Sequence, residues 1–225
     1  MDYSDIIIFI MELIGTVAFA SSGAMLAMQK AMDVFGVCVL GVVTAVGGGL
    51  IRDLILGITP PGMFRKPVYT LVALGVSIFL FIVVFIRHSW MKGKMATAYD
   101  LIMTVFDALG LGIFTVVGIN TAWSAGYEQK FLLVFVGVLT GVGGGLLRDV
   151  MAQVKPYILH KHIYACASIA GALACVLGKT ELGRLGAMVA GAAVVILIRF
   201  LAAHYRWNLP RVQVNEEENE RKKAV

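Results

Sequence analysis

Long apolar runs alternate with short polar segments along most of the chain. Each run is close to the roughly 20 residues that a helix needs to cross about 30 Å of hydrocarbon. The pattern predicts an all-α membrane protein with seven transmembrane helices, over residues 6–28, 34–57, 67–86, 99–120, 131–152, 162–178 and 183–203. The start of the chain is acidic, with Asp2 and Asp5, where a cleavable leader needs basic residues. The first run is therefore expected to remain as a helix.

Composition supports this reading, because 59% of residues are hydrophobic and 15% charged, against about 25% charged in soluble domains. Seven crossings put the termini on opposite sides of the membrane. The loops on the N-terminal side hold Arg65, Lys66, Lys130, Lys179 and Arg184. Those on the other side hold Lys30, Arg87, Lys92, Lys94, Lys155, Lys161, Arg199, Arg206 and Arg211. The positive-inside rule then predicts an outside N-terminus and a cytoplasmic C-terminus in a bacterial inner (plasma) membrane. Trp123 and Tyr127 near one boundary, and Trp90, Tyr157 and Trp207 near the other, suit interfacial aromatic belts. The net charge of +5 is spread through loops without a basic stripe, so it signals topology and not nucleic acid. Residues 208–225 read as a disordered cytoplasmic tail.

The chain also repeats itself. Residues 40–53 (LGVVTAVGGGLIRD) align with residues 136–149 (VGVLTGVGGGLLRD) at an offset of 96. Upstream, at an offset of 95, Glu12, Gly15, Phe19 and Gly23 align with Asp107, Gly110, Phe114 and Gly118. Each unit contains three spans, an odd number, so the second copy enters the membrane from the opposite side. The expected organisation is a first repeat over 1–95, an inverted second repeat over 96–180, a seventh helix over 181–207 and the tail.

The doubled motif holds the candidate functional residues. Three glycines inside a helix cost about 0.8–1.0 kcal/mol each relative to alanine. Irregular backbone at membrane depth survives only beside protein or water. Gly47, Gly48, Gly49 and Gly143, Gly144, Gly145 are therefore expected to kink or break the second and fifth spans and line a pore; close helix packing is the alternative. Arg52, Asp53, Arg148 and Asp149 are candidates for pore electrostatics or a gate, since charges within a span usually face a bundle interior or an aqueous path. Neighbouring residues on a helix diverge, so Arg52 is expected to pair with Glu12 and Arg148 with Asp107, leaving both motif aspartates to face the conduit. Alternatively, the arginines project into the pore and resist cations.

His160-Lys161-His162 reads as a basic loop, and Cys38, Cys166 and Cys175 as small core residues. No metal-ligand spacing, cofactor motif or catalytic constellation is present. Enzymatic activity is not expected, nor a cofactor.

The paired GGG-x-x-RD segments within two three-helix units resemble the bacterial UPF0126 membrane proteins, which look like the prokaryotic branch of the trimeric intracellular cation (TRIC) channels. The resemblance implies a homotrimer in lipid, one pore per subunit, with kinked second and fifth helices lining a path for K⁺ and, less selectively, Na⁺. The lipid-binding basic motif of animal members has no clear match. Members of the family are also described as glycine transporters, so carriage of glycine or another small polar solute is the alternative.

Overall fold

The computed structural model describes residues 3–86, 95–160, 163–205 and 207. Within them the chain forms helices and connecting turns and no strand. The long helices are α1 (Tyr3–Gln29), α2 (Val34–Ile55), α4 (Val68–Ile86), α5 (Met95–Ser124), α6 (Lys130–Met151) and α8 (Tyr164–His204). All six are long and apolar enough to cross a membrane. Two one-turn helices, α3 (Gly62–Arg65) and α7 (Tyr157–His160), follow α2 and α6. The expected tail, together with Trp90, Lys161 and His162, lies outside the described residues.

Helix α8 has 41 residues, about 60 Å if straight, which is twice the hydrocarbon thickness. Its backbone leaves the helical region at Gly183, with φ 68° and ψ 176°. That conformation is open almost solely to glycine. The two halves then lie side by side: a methyl on Gly191 would stand 2.8 Å from the Gly171 carbonyl oxygen. The turn falls at the expected boundary between the sixth and seventh runs.

Local chemistry sets the ends of α2. Asp33 accepts a 2.8 Å hydrogen bond from the Gly36 N–H and caps the first turn. At the far end Gly57 takes a positive φ of 67° and reverses the chain. Large side chains on the outer face of α4 are exposed, with Leu71 at 63%, Phe79 at 64% and Phe85 at 71%. An apolar face of this kind suits hydrocarbon.

The expectation of a break at the glycine triplets is not met. Helix α2 is helical at every residue from 34 to 55, and α6 at every residue from 130 to 151. The glycines instead bring main chains together. A Cβ at Gly48 would fall on the Thr140 carbonyl oxygen, and one at Gly144 on the Thr44 carbonyl oxygen. Thus α2 and α6 cross backbone to backbone at reciprocal positions. Intact helical bonding satisfies every amide there, and lipid offers the backbone no competing partner.

The same logic joins the other helices. Gly23 of α1 packs on Leu40 and Gly41 of α2, as Gly118 of α5 packs on Gly137 and Thr140 of α6. Gly110 lies under Phe19 and Gly15 under Phe114, and the two rings meet at 5.2 Å between α1 and α5. Thr44 and Thr140 turn their hydroxyls to the carbonyls of Leu40 and Val136, both at 2.6 Å. Their polar atoms are thereby satisfied inside the bundle.

Candidate functional site

Two charged groups flank the α2–α6 crossing, one at the end of each glycine-bearing helix. In the first, Arg52 curls back along α2 and donates from Nε to Asp53 Oδ1 at 2.8 Å, with Nη2 at 2.8 Å from the same oxygen. Asp53 Oδ2 accepts the Gly62 N–H at 2.6 Å, which ties α3 to the end of α2. Glu12 accepts a hydrogen bond from the Tyr69 hydroxyl of α4 and makes no ion pair among the described residues. The expected pairing of Arg52 with Glu12 is absent. Although neighbouring residues diverge on a helix, the long guanidinium side chain of Arg52 folds along its own helix to reach Asp53.

In the second group, Arg148 donates from Nε to Asp149 Oδ1 at 2.8 Å and from Nη1 to Asp107 Oδ1 at 2.7 Å. Nη1 also donates to the Ser22 hydroxyl of α1. Here the expected ion pair with Asp107 is formed. Asp149 Oδ2 accepts the Tyr157 N–H at 2.8 Å, so α7 is tied to α6 as α3 is to α2. Neither motif aspartate is free to face a conduit, since both oxygens of each are engaged.

Exposure separates the two groups. The side chains of Arg148 and Asp107 are 0% exposed, whereas Arg52 is 12% exposed. Arg52 and Glu12 border a cavity of about 420 Å³ whose lining also includes Thr16, Gly49, Tyr69 and Val117. The cavity reaches Ala45, roughly 15 Å of helical rise from the end of α2. Arg65 and Lys66 stand at its mouth, exposed to solvent. The Arg52–Asp53 pair is internally neutral, which leaves Glu12 as the unbalanced charge at depth.

The buried group contains side chains that motif reading did not identify. Tyr164 turns its hydroxyl over Gly145, where a Cβ would stand 3.2 Å from that oxygen and 3.7 Å from Arg148 Nη2. Arg199 of α8, itself 1% exposed, lies 4.7 Å above the Tyr164 ring, a cation–π contact. Tyr69 and Tyr164 are separated by 95 residues, the offset that relates Glu12 to Asp107. The repeat alignment, extended one helix further, contains this signal. Elsewhere Arg184 holds the end of α5, with Nε 2.6 Å from Asn120 Oδ1 and Nη2 2.9 Å from the Asn120 carbonyl. Among the described residues no cluster of His, Cys, Asp and Glu could hold a metal ion.

The family model described as "Glycine transporter" matches residues 9–84 and 104–180, stretches that contain Glu12, Arg52 and Asp53 in the first and Asp107, Arg148 and Asp149 in the second. The UPF0126 inner membrane protein YadS of Escherichia coli (strain K12) is 37% identical over 212 residues, 93% of this chain and 98% of that one. A TRIC trimeric intracellular cation channel orthologue from Rhodobacter sphaeroides superimposes with a TM-score of 0.79 at 34% identity, covering 89% of this chain and 99% of that one. A prokaryotic TRIC channel gives 0.81 at 32% identity, covering 91% and 99%. With six helices long and apolar enough to cross a membrane and near full-length similarity to these relatives, the chain belongs to the UPF0126 family, as a multi-pass bacterial membrane protein of TRIC-like fold.

Proposed function

We propose that this protein is a cation channel permeable to K⁺ and Na⁺, with a pore within each subunit of a homotrimer. The observation that carries this reading is the cavity beside α2, in which Glu12 is a carboxylate without a cationic partner. A cation that has passed Arg65 and Lys66 meets the Glu12 carboxylate, because Arg52 is neutralised by Asp53. Arg65 and Lys66 sit in high dielectric at the mouth, where solvent and salt screen them. The TRIC relatives, named as cation channels, support the same reading.

Topologically, the turn at Gly183 gives seven crossings: two inverted three-helix units, 1–95 and 96–180, followed by a seventh helix over 181–207. The offsets relating Glu12 to Asp107, Tyr69 to Tyr164 and Arg52 to Arg148 favour this division. Loop charge places the N-terminus and the cavity mouth outside and the Arg148 group toward the cytoplasm. In this state the path is open to the outside and shut at the inner end. Gly47 to Gly49 and Gly143 to Gly145 serve as its packing seam, and Arg148 with Asp107 as its gate.

A second reading, secondary transport of glycine or another small polar solute, is favoured by the family description and by the one-sidedness of the cavity. Reconstitution of the purified protein in planar bilayers separates the two. Discrete unitary K⁺ currents are the expected result. Saturable glycine counterflow without such currents would replace the channel with the transporter.

A further inference from the structure

The two charged groups are built from the same side chains in the same order, yet they are joined differently. Asp107, Arg148, Asp149 and Tyr164 correspond to Glu12, Arg52, Asp53 and Tyr69 at offsets of 95 or 96. In the buried group the arginine bridges two helices, since Arg148 of α6 bonds Asp107 of α5 at 2.7 Å while keeping Asp149 at 2.8 Å. In the other, Arg52 turns two of its three guanidinium nitrogens, Nε and Nη2, to Asp53 of its own helix, and Glu12 of α1 is held by Tyr69. One inter-helix bridge is closed, and its counterpart stands open onto a cavity.

We infer that Glu12 and Arg52 form a second latch that closes in an alternative conformation, in which the Asp107–Arg148 latch is released. The pieces are in place for this exchange. Arg52 lines the same cavity as Glu12 and retains solvent access, so it can leave one of its two contacts with Asp53 without stranding a charge. Asp53 also keeps its bond from Gly62. The resulting arrangement, one arginine shared between an adjacent aspartate and an acid on the neighbouring helix, is the one Arg148 already shows.

The pivot is visible as well. Gly48 against Thr140 and Gly144 against Thr44 are reciprocal main-chain contacts, with the flexible ends of Leu147 and Ile51 beside them, so α2 can rock on α6 there. Exchange of one latch for its counterpart keeps the number of inter-helix bridges constant. Two such arrangements of nearly equal energy are what a bistable element requires.

The observed state is favoured by two features without a counterpart. Ser22 accepts from Arg148, whereas the residue 95 positions later is Val117, which lines the open cavity and offers no acceptor. Arg199 comes from the last part of α8, outside the repeat, and lies over the Tyr164 ring. Both additions strengthen the Asp107–Arg148 side.

This proposal deepens the passage reading but is independent of what passes, and its test reads access and not flux. In a background with Cys38, Cys166 and Cys175 replaced by alanine, Leu50→Cys reports the open cavity and Leu146→Cys its counterpart. Each is labelled in sealed vesicles with a membrane-impermeant, cationic thiol reagent applied to one face at a time. Asp107→Asn and, as a milder variant that keeps every charge, Ser22→Ala should slow labelling at Leu50→Cys from the N-terminal face. The same substitutions should speed labelling at Leu146→Cys from the opposite face, with roughly 5-fold or larger changes. Glu12→Gln should move both rates the other way. The inference is overturned if the Leu146→Cys rate rises while Leu50→Cys is unchanged, which means independent gates, or if neither rate responds in a folded variant.

Discussion

Alanine at Gly48 or Gly144 is expected to lower the midpoint of thermal unfolding in detergent sharply, while alanine at Gly49 leaves it unchanged or raises it. The three positions share a motif but not an environment. A Cβ at Gly48 or Gly144 meets the carbonyl oxygen of a facing helix, and main chain cannot yield as a flexible side chain does. Overpacking of this kind costs roughly 1–3 kcal/mol, and a backbone clash belongs at the upper end. At Gly49 the nearest atoms are Arg52 Nη2 at 3.6 Å and Cζ at 3.9 Å, so a methyl fits. Alanine there recovers up to about 1 kcal/mol of helix propensity. Equal losses at Gly48 and Gly49 would mean that the triplet acts by backbone flexibility and not by contact.

The second large effect is expected from the two arginines of the repeated motif. Arg148→Gln leaves Asp107 and Asp149 as buried carboxylates without their guanidinium, a loss of about 3–5 kcal/mol when one partner of a buried pair is removed. Arg52→Gln leaves Asp53 on the wall of the cavity, still holding the Gly62 N–H, and is expected to cost less than Arg148→Gln because water in the cavity can solvate the freed carboxylate. Chemical denaturation of both purified variants in the same detergent checks the difference. Similar losses would show that the two groups are equally buried and remove the structural asymmetry on which gating rests.

Much of the architecture was legible in the hydrophobic pattern, because span length is fixed by bilayer thickness. The turn at Gly183 falls between two predicted runs for that reason. The Asp107–Arg148 pair was legible too, since the repeat offers each buried arginine an acid at the same offset. Other features were not. A glycine triplet looks like a helix breaker on a scale measured in water, but between α2 and α6 it is a contact surface and the helices continue through it. The pairing of Arg52 with Asp53 depends on side-chain reach, which helical periodicity omits. Above all, two equivalent motifs cannot disclose that one is shut and the other open. The side chains by which the two groups differ, Ser22, Val117 and Arg199, lie outside the motif.

In the proposed channel the Asp107–Arg148 latch closes the inner end of the path. Single-channel recording of Asp107→Asn in symmetrical K⁺ tests it. The substitution retains a carbonyl oxygen for Arg148 and removes the charge that holds it. Open probability is predicted to rise roughly 5-fold or more, because the exchange between latches passes through a state with both released and the substitution makes that state easier to reach; unitary conductance is little changed, since Glu12 and the other cavity-lining side chains are kept. An unaltered or lowered open probability in a folded variant that still conducts would contradict the claim.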